Sequence, residues 1–222
     1  RETDLDIGVL KGKIKNRLIE KVYDKVIKTR LQLEKYLELD PIFAKSLSSY
    51  TPLSSAPKIA KLMAHESSKA GVGPMASVAG AFSELVGNLL SLYSQEVIVE
   101  NGGDIYLRSS RDRTIGIYAA NSPFSNRIAI KIKAYQTPLG ICTSSGTVGH
   151  SLSFGKADAV VVLSPSVPLA DAVATASANM VKNASNLQEA VEFAINVPGV
   201  KGALAIKGDK LSAVGDIEIT PV

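Results

Sequence analysis

Asp171 and Thr175 stand four residues apart in the segment LADAVATASANMV. On a helix that spacing puts a carboxylate and a hydroxyl on one face, one turn above the other. Two hard oxygen donors so placed suit Mg²⁺, which takes one or two protein oxygens and completes its shell with water or phosphate. Upstream, Thr143-Ser144-Ser145-Gly146-Thr147 supplies hydroxyls and backbone N–H groups with little bulk, a composition that suits phosphate oxygens. His150 follows in a Gly/Ser-rich segment, where an imidazole could carry a proton or donate to a phosphate. Cys142 to Met180 is therefore the stretch in which chemistry concentrates.

A second polar group, Glu100-Asn101-Gly102-Gly103-Asp104, sits between two strand-like runs. Asn-Gly is a strong hairpin signal. Adjacent glycines would equally let a backbone approach a flat ring or a phosphate. Both readings stay open from the residues alone. Other motifs fail on context. Gly71 to Ala76 matches G-x-G-x-x-A, but a helical pattern precedes it where the dinucleotide fingerprint needs a strand. Ser55 to Lys58 fits S-x-x-K without its companion elements. His65-Glu66 lacks the second His of a zinc protease, and two His with one Cys make a poor zinc set.

The elements that must position these groups follow from periodicity. Leu5 to Leu10 reads as a first strand, and Asn16 to Leu39 as a long amphipathic helix that Asp40-Pro41 stops. Lys58 to Lys69 reads as a further helix. Met75 to Tyr93 reads as a helix rich in Ala, Ser and Gly, and each interior Gly costs about 1 kcal/mol relative to Ala. The lost bulk implies a close neighbour. Val97 to Val99, Asp104 to Leu107, Thr114 to Tyr118 and Ile128 to Ala134 are strands close enough for antiparallel hairpins. A second run follows: strand Ala159 to Leu163, small-residue helix Leu169 to Val181, helix Leu187 to Ile195, and strands Val200 to Ile206 and Leu211 to Ile219. The reading is an α+β fold, with an internal pseudo-duplication.

The bulk numbers narrow the classes. With 25 Lys and Arg against 21 Asp and Glu, the chain carries a net charge of +4. The basic residues of Lys11 to Lys61 alternate with acidic ones, as on a solvated helix face, and aromatics are too few for a base-stacking platform. No nucleic acid is expected as a partner. No apolar run approaches the roughly 20 residues of a membrane helix. One cysteine excludes an internal disulfide, and with no secretory leader visible the expected location is cytoplasmic.

ENGGDIYL, TSSGTVGH and ADAVATA, in that order, resemble the ApbE-like superfamily of flavin transferases. The longer forms MASVAGAFSELVG, TSSGTVGHSLSFGKADAV and ADAVATASAN are similar to a small branch of it. The resemblance runs from about Met75 to Asn179. It implies a single domain over 1–222 built from two tandem tunnelling-type units, about 1–135 and 136–222. Characterised members bind FAD, use Mg²⁺, and transfer FMN to a Thr of a flavoprotein acceptor or hydrolyse FAD. Carried over by motif, Asp171 and Thr175 become metal ligands. Asn101, Gly102, Gly103 and Asp104 become flavin contacts. Thr143, Ser144 and Gly146 match the family's T-S-G loop with one residue inserted, and His150 is the matching catalytic His.

The sequence also departs from the transferases. Their small-residue helix carries a Lys and a following Asp; here no Lys occurs between Lys69 and Lys131, and Ser83 and Asn88 stand nearest those positions. Their H-x-x-D-P is here His150-Ser151-Leu152-Ser153-Phe154. The resemblance implies a flavin- or nucleotide-sized pocket, with FAD or FMN and Mg²⁺ as ligands. It leaves open whether FAD is cleaved, FMN transferred, or a flavin or pterin-like ligand held without chemistry. Self-association is also left open.

Overall fold

A computed structural model describes residues 3–10, 16–146 and 155–222. Ten strands and six α-helices are laid out among them. A seven-stranded antiparallel sheet has the order β1 (Asp6–Val9), β2 (Val97–Asn101), β3 (Asp104–Arg108), β6 (Leu139–Ser144), β7 (Ala159–Ser164), β8 (Gly202–Lys207), β9 (Lys210–Gly215). A smaller sheet pairs β10 (Ile219–Pro221), β5 (Ile128–Ile132) and β4 (Arg113–Gly116). The helices are α1 (Asn16–Leu39), α2 (Pro41–Lys45), α3 (Lys58–Lys69), α4 (Val78–Leu90), α5 (Val167–Met180) and α6 (Leu187–Asn196). The α+β class with antiparallel sheets is as the sequence predicts. Strands from both 1–135 and 136–222 make each sheet.

The run Ala159-Val-Val-Val-Leu163 shows why the large sheet is central. Alternate side chains of a strand leave by opposite faces. Val160 and Val162 enter a core with Val86 and Leu90 of α4, Val173 of α5 and Val191 of α6. Ala159, Val161 and Leu163 enter a second core with Ile130 and Ile132 of the small sheet. Burial on both faces accounts for an unbroken apolar strand. A third core joins α1, α2, α3 and α4 around Tyr36, Phe43, Met63 and Phe82. Within it the buried Asp40 accepts hydrogen bonds from the Tyr36 and Tyr50 hydroxyls at 2.6 and 2.8 Å, which closes the turn after α1.

Three sequence expectations are corrected. The segment read as the Met75–Tyr93 helix begins as a 3₁₀ turn, Pro74–Ser77, before α4 proper. The last strand, expected over Leu211 to Ile219, breaks at Gly215 (φ +77°) into β9 and β10, which serve different sheets. Thr143 and Ser144, read as a loop, are the last two residues of β6, paired with Val161 and Val160 of β7. Their β-branched and small side chains satisfy a strand as readily as a loop, and pairing decided the matter.

Candidate functional site

The site grows from the way α4 meets α5. The first N–H groups of any helix lack intrahelical acceptors. At the start of α4 the Ser77 hydroxyl does not cap; it donates instead to the Met63 and Pro74 carbonyls. Asp171 of α5 takes its place: its Oδ2 accepts the Gly80 N–H at 2.9 Å, and the Ala79 amide also donates to this carboxylate. The reciprocal bond exists too. Glu84 of α4 accepts the N–H of Val167, the first residue of α5, at 2.8 Å through Oε2. Each helix thus caps the other, and the two run antiparallel over this stretch.

Small residues permit the approach. A Cβ on Gly80 would lie 2.7 Å from the Val167 carbonyl oxygen and 2.9 Å from the Asp171 Cβ. One on Gly87 would overlap the Tyr106 ring on β3. The inference from composition, that missing bulk marks a close neighbour, thus has named neighbours.

The β2–β3 hairpin delivers the next groups. Asn101 and Asp104 pair across a two-residue turn whose Gly102 and Gly103 have φ of +62° and +101°. Only Gly takes such values freely, so the turn alone accounts for both glycines. Nothing lies within 4 Å of a Cβ on Gly102. Asn101 donates through Nδ2 to the Ala79 carbonyl at 3.2 Å, and the Ser83 hydroxyl donates to the Asp104 carbonyl at 2.8 Å. The hairpin is therefore tied to the first turns of α4. Thr143 joins through its N–H, which donates to the Gly103 carbonyl at 3.1 Å.

Asp104 lies opposite Cys142 in the β3–β6 register, and both are buried. Burial holds the Asp104 carboxyl well above the usual carboxylate range, and the neighbouring Asp171 charge pushes the same way. Asp171 is itself pushed up to about 7, by burial against the lowering effect of the Gly80 and Ala79 amides. The Cys142 thiol is raised by burial and then by both carboxylates, and it donates to the Val167 carbonyl at 3.4 Å. Two carboxyls and a thiol thus share a desolvated space under the N-terminal turns of α4.

The remaining predicted groups lie around this nucleus. Thr175 is half-buried one turn along α5, and Thr143 and Ser144 are half-buried at the end of β6. Gly146 donates its N–H to the Ala157 carbonyl at 2.9 Å, and a Cβ on it would overlap the Gly155 carbonyl. Gly155 in turn lies against the Ala178 carbonyl of α5. His150 lies outside the described residues. Asn101, Asp104 and Asp171 are thus brought together through α4. Gly102 faces outward, with Thr175 one turn further along α5, Ser144 at the end of β6 and Gly146 just beyond that strand.

Cys142, Gly80, Ser83 and Glu84 complete the arrangement and were not singled out as site residues. For Glu84 the available signal was a lone acid in an otherwise uncharged helix, VAGAFSELVGNLL. Among the described residues no group of three His, Cys, Asp or Glu is arranged to hold a metal. No helix among them is long and apolar enough to cross a membrane.

Comparison with known proteins places this architecture. A family model described as AbpE bacteria matches residues 1–195. A UPF0280 protein of Methanococcus maripaludis is 44% identical over 197 residues, covering 86% of this chain and 80% of the relative. A UPF0280 protein of Methanocaldococcus jannaschii is 40% identical over 206 residues, covering 89% and 82%. Among solved structures, the apo form of the flavinyl transferase ApbE from Pseudomonas stutzeri superposes with a TM-score of 0.56 at 14% identity, covering 96% of this chain and 94% of that one. The flavin transferase ApbE from Vibrio cholerae gives 0.51 at 15% identity, covering 96% and 93%. At such identities the likeness is one of fold.

Proposed function

The chain belongs to the AbpE bacteria family, and from that premise we propose that it binds a flavin nucleotide, FAD or a close relative, together with Mg²⁺ at the α4–α5 junction. The observation that carries the reading is the buried Asp104–Asp171 pair beside the N-terminus of α4, where burial raises both carboxyls and the Asp171 charge adds to the cost of ionising Asp104. A divalent cation would relieve that repulsion. The residues fit the ion. Asp171 accepts amide hydrogen bonds and still has lone pairs to give, since a carboxylate offers about four acceptor sites. Thr175 adds a hydroxyl one turn away. A set of two protein oxygens is what Mg²⁺ takes when phosphates supply the rest.

Bound there, the ion would neutralise charge on a pyrophosphate and so favour its cleavage or transfer. The chain's own residues have the other tasks. The Thr143 and Ser144 hydroxyls would donate to phosphate oxygens, and Gly146, its N–H held by the Ala157 carbonyl, keeps the chain beside them free of bulk. Asn101 fixes the turn Gly102-Gly103, whose bare backbone would receive the flavin ring, and holds it to α4. The Asp171 charge, together with burial, favours the protonated form of its neighbour Asp104. His150 would act as the proton donor or acceptor.

A second reading, ligand binding without chemistry, is favoured by Ser83. Where the transferases carry a Lys, this buried hydroxyl donates to the Asp104 and Ala79 carbonyls and so serves the scaffold. Lys and Ser are not interchangeable as phosphate holders, because only the former brings a charge. One experiment separates the readings. The protein is incubated with FAD and Mg²⁺ while flavin fluorescence and FMN release, or flavin labelling of an acceptor protein, are followed. Release or labelling that Asp171→Ala abolishes supports the enzyme. Quenching without turnover supports the binding module. Absence of quenching and of turnover removes the flavin reading altogether.

A further inference from the structure

Gly87 does for the far end of α4 what Gly80 does for its start. Without a Cβ there, the Tyr106 ring of β3 lies directly against the helix. Its hydroxyl then meets that of Ser91, just past the end of α4, at 3.0 Å. Alternate residues of a strand share a face, so Arg108, two residues on, reaches the same place. It donates through Nη1 to the Ser91 carbonyl at 2.9 Å. Between these groups and Pro138, on the approach to β6, lies a cavity of about 530 Å³. That volume is within the range of small-molecule sites. Arg108 is about 13 Å along β3 from Asp104, so the cavity is separate from the α4–α5 junction.

Unused donors set its chemistry. A guanidinium has five N–H groups, and the Ser91 carbonyl takes one. Among the described residues no carboxylate pairs with the half-buried Arg108, and no acid lines the cavity. Glu96, the buried acid of this region, is held by Arg113, Ser109 and Ser110. Charges withdrawn from water ordinarily find a counter-charge, and here the cavity is the place for one. Whichever of the Ser91 and Tyr106 hydroxyls donates to the other, one proton is left over. The Asn88 and Gln95 amides also face the cavity without a hydrogen-bond partner among the described residues. The ligand this set fits is singly charged. The end of α4 carries a partial negative charge, which opposes a doubly charged anion more than a single one. A carboxylate also offers two oxygens to the guanidinium fork.

We propose that the cavity between the end of α4 and Arg108 binds a small monocarboxylate bearing an amide or hydroxyl group, its carboxylate on the Arg108 guanidinium and its polar group on the Asn88 and Gln95 amides. The site is independent of the flavin reading. Titration with N-acetylglycine, followed by ¹H–¹⁵N NMR of the Arg108 Nε–Hε and the Asn88 and Gln95 amides, tests it. Those signals should shift saturably, with a dissociation constant of about 1–10 mM, the range open to so small a probe. The uncharged primary amide of N-acetylglycine should leave them in place, and inorganic phosphate should bind more weakly. Arg108→Lys keeps the charge without the fork and should weaken binding at least about tenfold. Asn88→Asp, at an exposed position that leaves the Arg108–Ser91 bond alone, puts a negative charge in the cavity and should abolish it. Thermal unfolding checks that both variants are folded. Thr175→Ala, at the proposed flavin site, should leave the titration unchanged. Absence of a saturable shift up to about 50 mM, well above the expected constant, would overturn the proposal. So would an equal response to the uncharged amide, phosphate binding as tight as the carboxylate's, binding that survives Asn88→Asp, or binding lost in Thr175→Ala.

Discussion

The Asp171 carboxylate accepts the Gly80 N–H at 2.9 Å, so a residue proposed for metal binding is also the cap of the neighbouring helix. Structure and function share this contact. Gly80→Ala tests how tightly. Its methyl would meet the backbone at Val167, which cannot swing aside as a side-chain tip could. The helices must separate, and overpacking of this sort costs about 1–3 kcal/mol. Denaturant unfolding should show that loss, together with weaker flavin binding if the proposed site lies at this junction. Full wild-type stability would mean that the two helices are free to slide.

Cys142 offers a reporter of the same junction. Its thiol is fully buried, and burial with two nearby carboxylates keeps it protonated. The thiolate is the reactive form, so the native protein should resist thiol reagents at neutral pH. Labelling should rise in step with unfolding by circular dichroism. Rapid labelling of the fully native protein would contradict the burial found here.

Much of this was legible in the residues. The 3.6-residue pattern gave α1 and α3, and the small-residue composition of Met75 to Tyr93 announced a close packing partner. That Asp171 and Thr175 lie one turn apart on a helix was visible because helical spacing is regular. Three things were hidden for physical reasons. That Asp171 would cap α4 depends on a residue 91 positions away, a relationship that no local pattern encodes. Cys142 and Asp104 meet only through the β3–β6 register, which is set by pairing and not by either strand alone. Thr143 and Ser144 looked like a loop because hydroxyl residues are common in loops, whereas strand pairing with β7 overrode that preference.

Glu96 makes a pH prediction remote from the site. Burial would raise its carboxyl, but hydrogen bonds from Ser110, Ser109 and Arg113 outweigh it and bring the value down from 4.5 to about 2. A depressed acid stabilises the fold above its unfolded value, and that stability is lost as pH falls. Its contribution should therefore be complete above pH 4.5 and fade towards pH 2. Glu96→Gln should cost about 1–3 kcal/mol at neutral pH, as expected for hydrogen bonds to a charged group. The difference from wild type should shrink steadily in acid. A difference that does not vary with pH would assign the loss to packing instead of charge.

Asp171 predicts the opposite slope. Its folded value, about 7, lies above the ordinary 3.8, so the folded state binds the proton more tightly than the unfolded chain does. The stability linked to this group is fully present below 3.8 and is lost as pH rises through about 7. Asp171→Asn stays uncharged throughout and keeps an oxygen acceptor for one α4 amide, at the cost of about 1 kcal/mol for the other. Without divalent cations the variant should melt near or slightly below wild type in acid and above it in mild alkali. Asp104 will ionise more readily once its neighbour is neutral, which narrows the gap but does not reverse it. Millimolar Mg²⁺ should then raise the wild-type melting temperature in mild alkali, because a ligand that binds only the folded state stabilises it. The Asn variant should gain little. Equal gains in both proteins would place the ion elsewhere, and parallel melting curves across the pH range would show that the buried carboxylate at the α4–α5 junction is not strained by its charge.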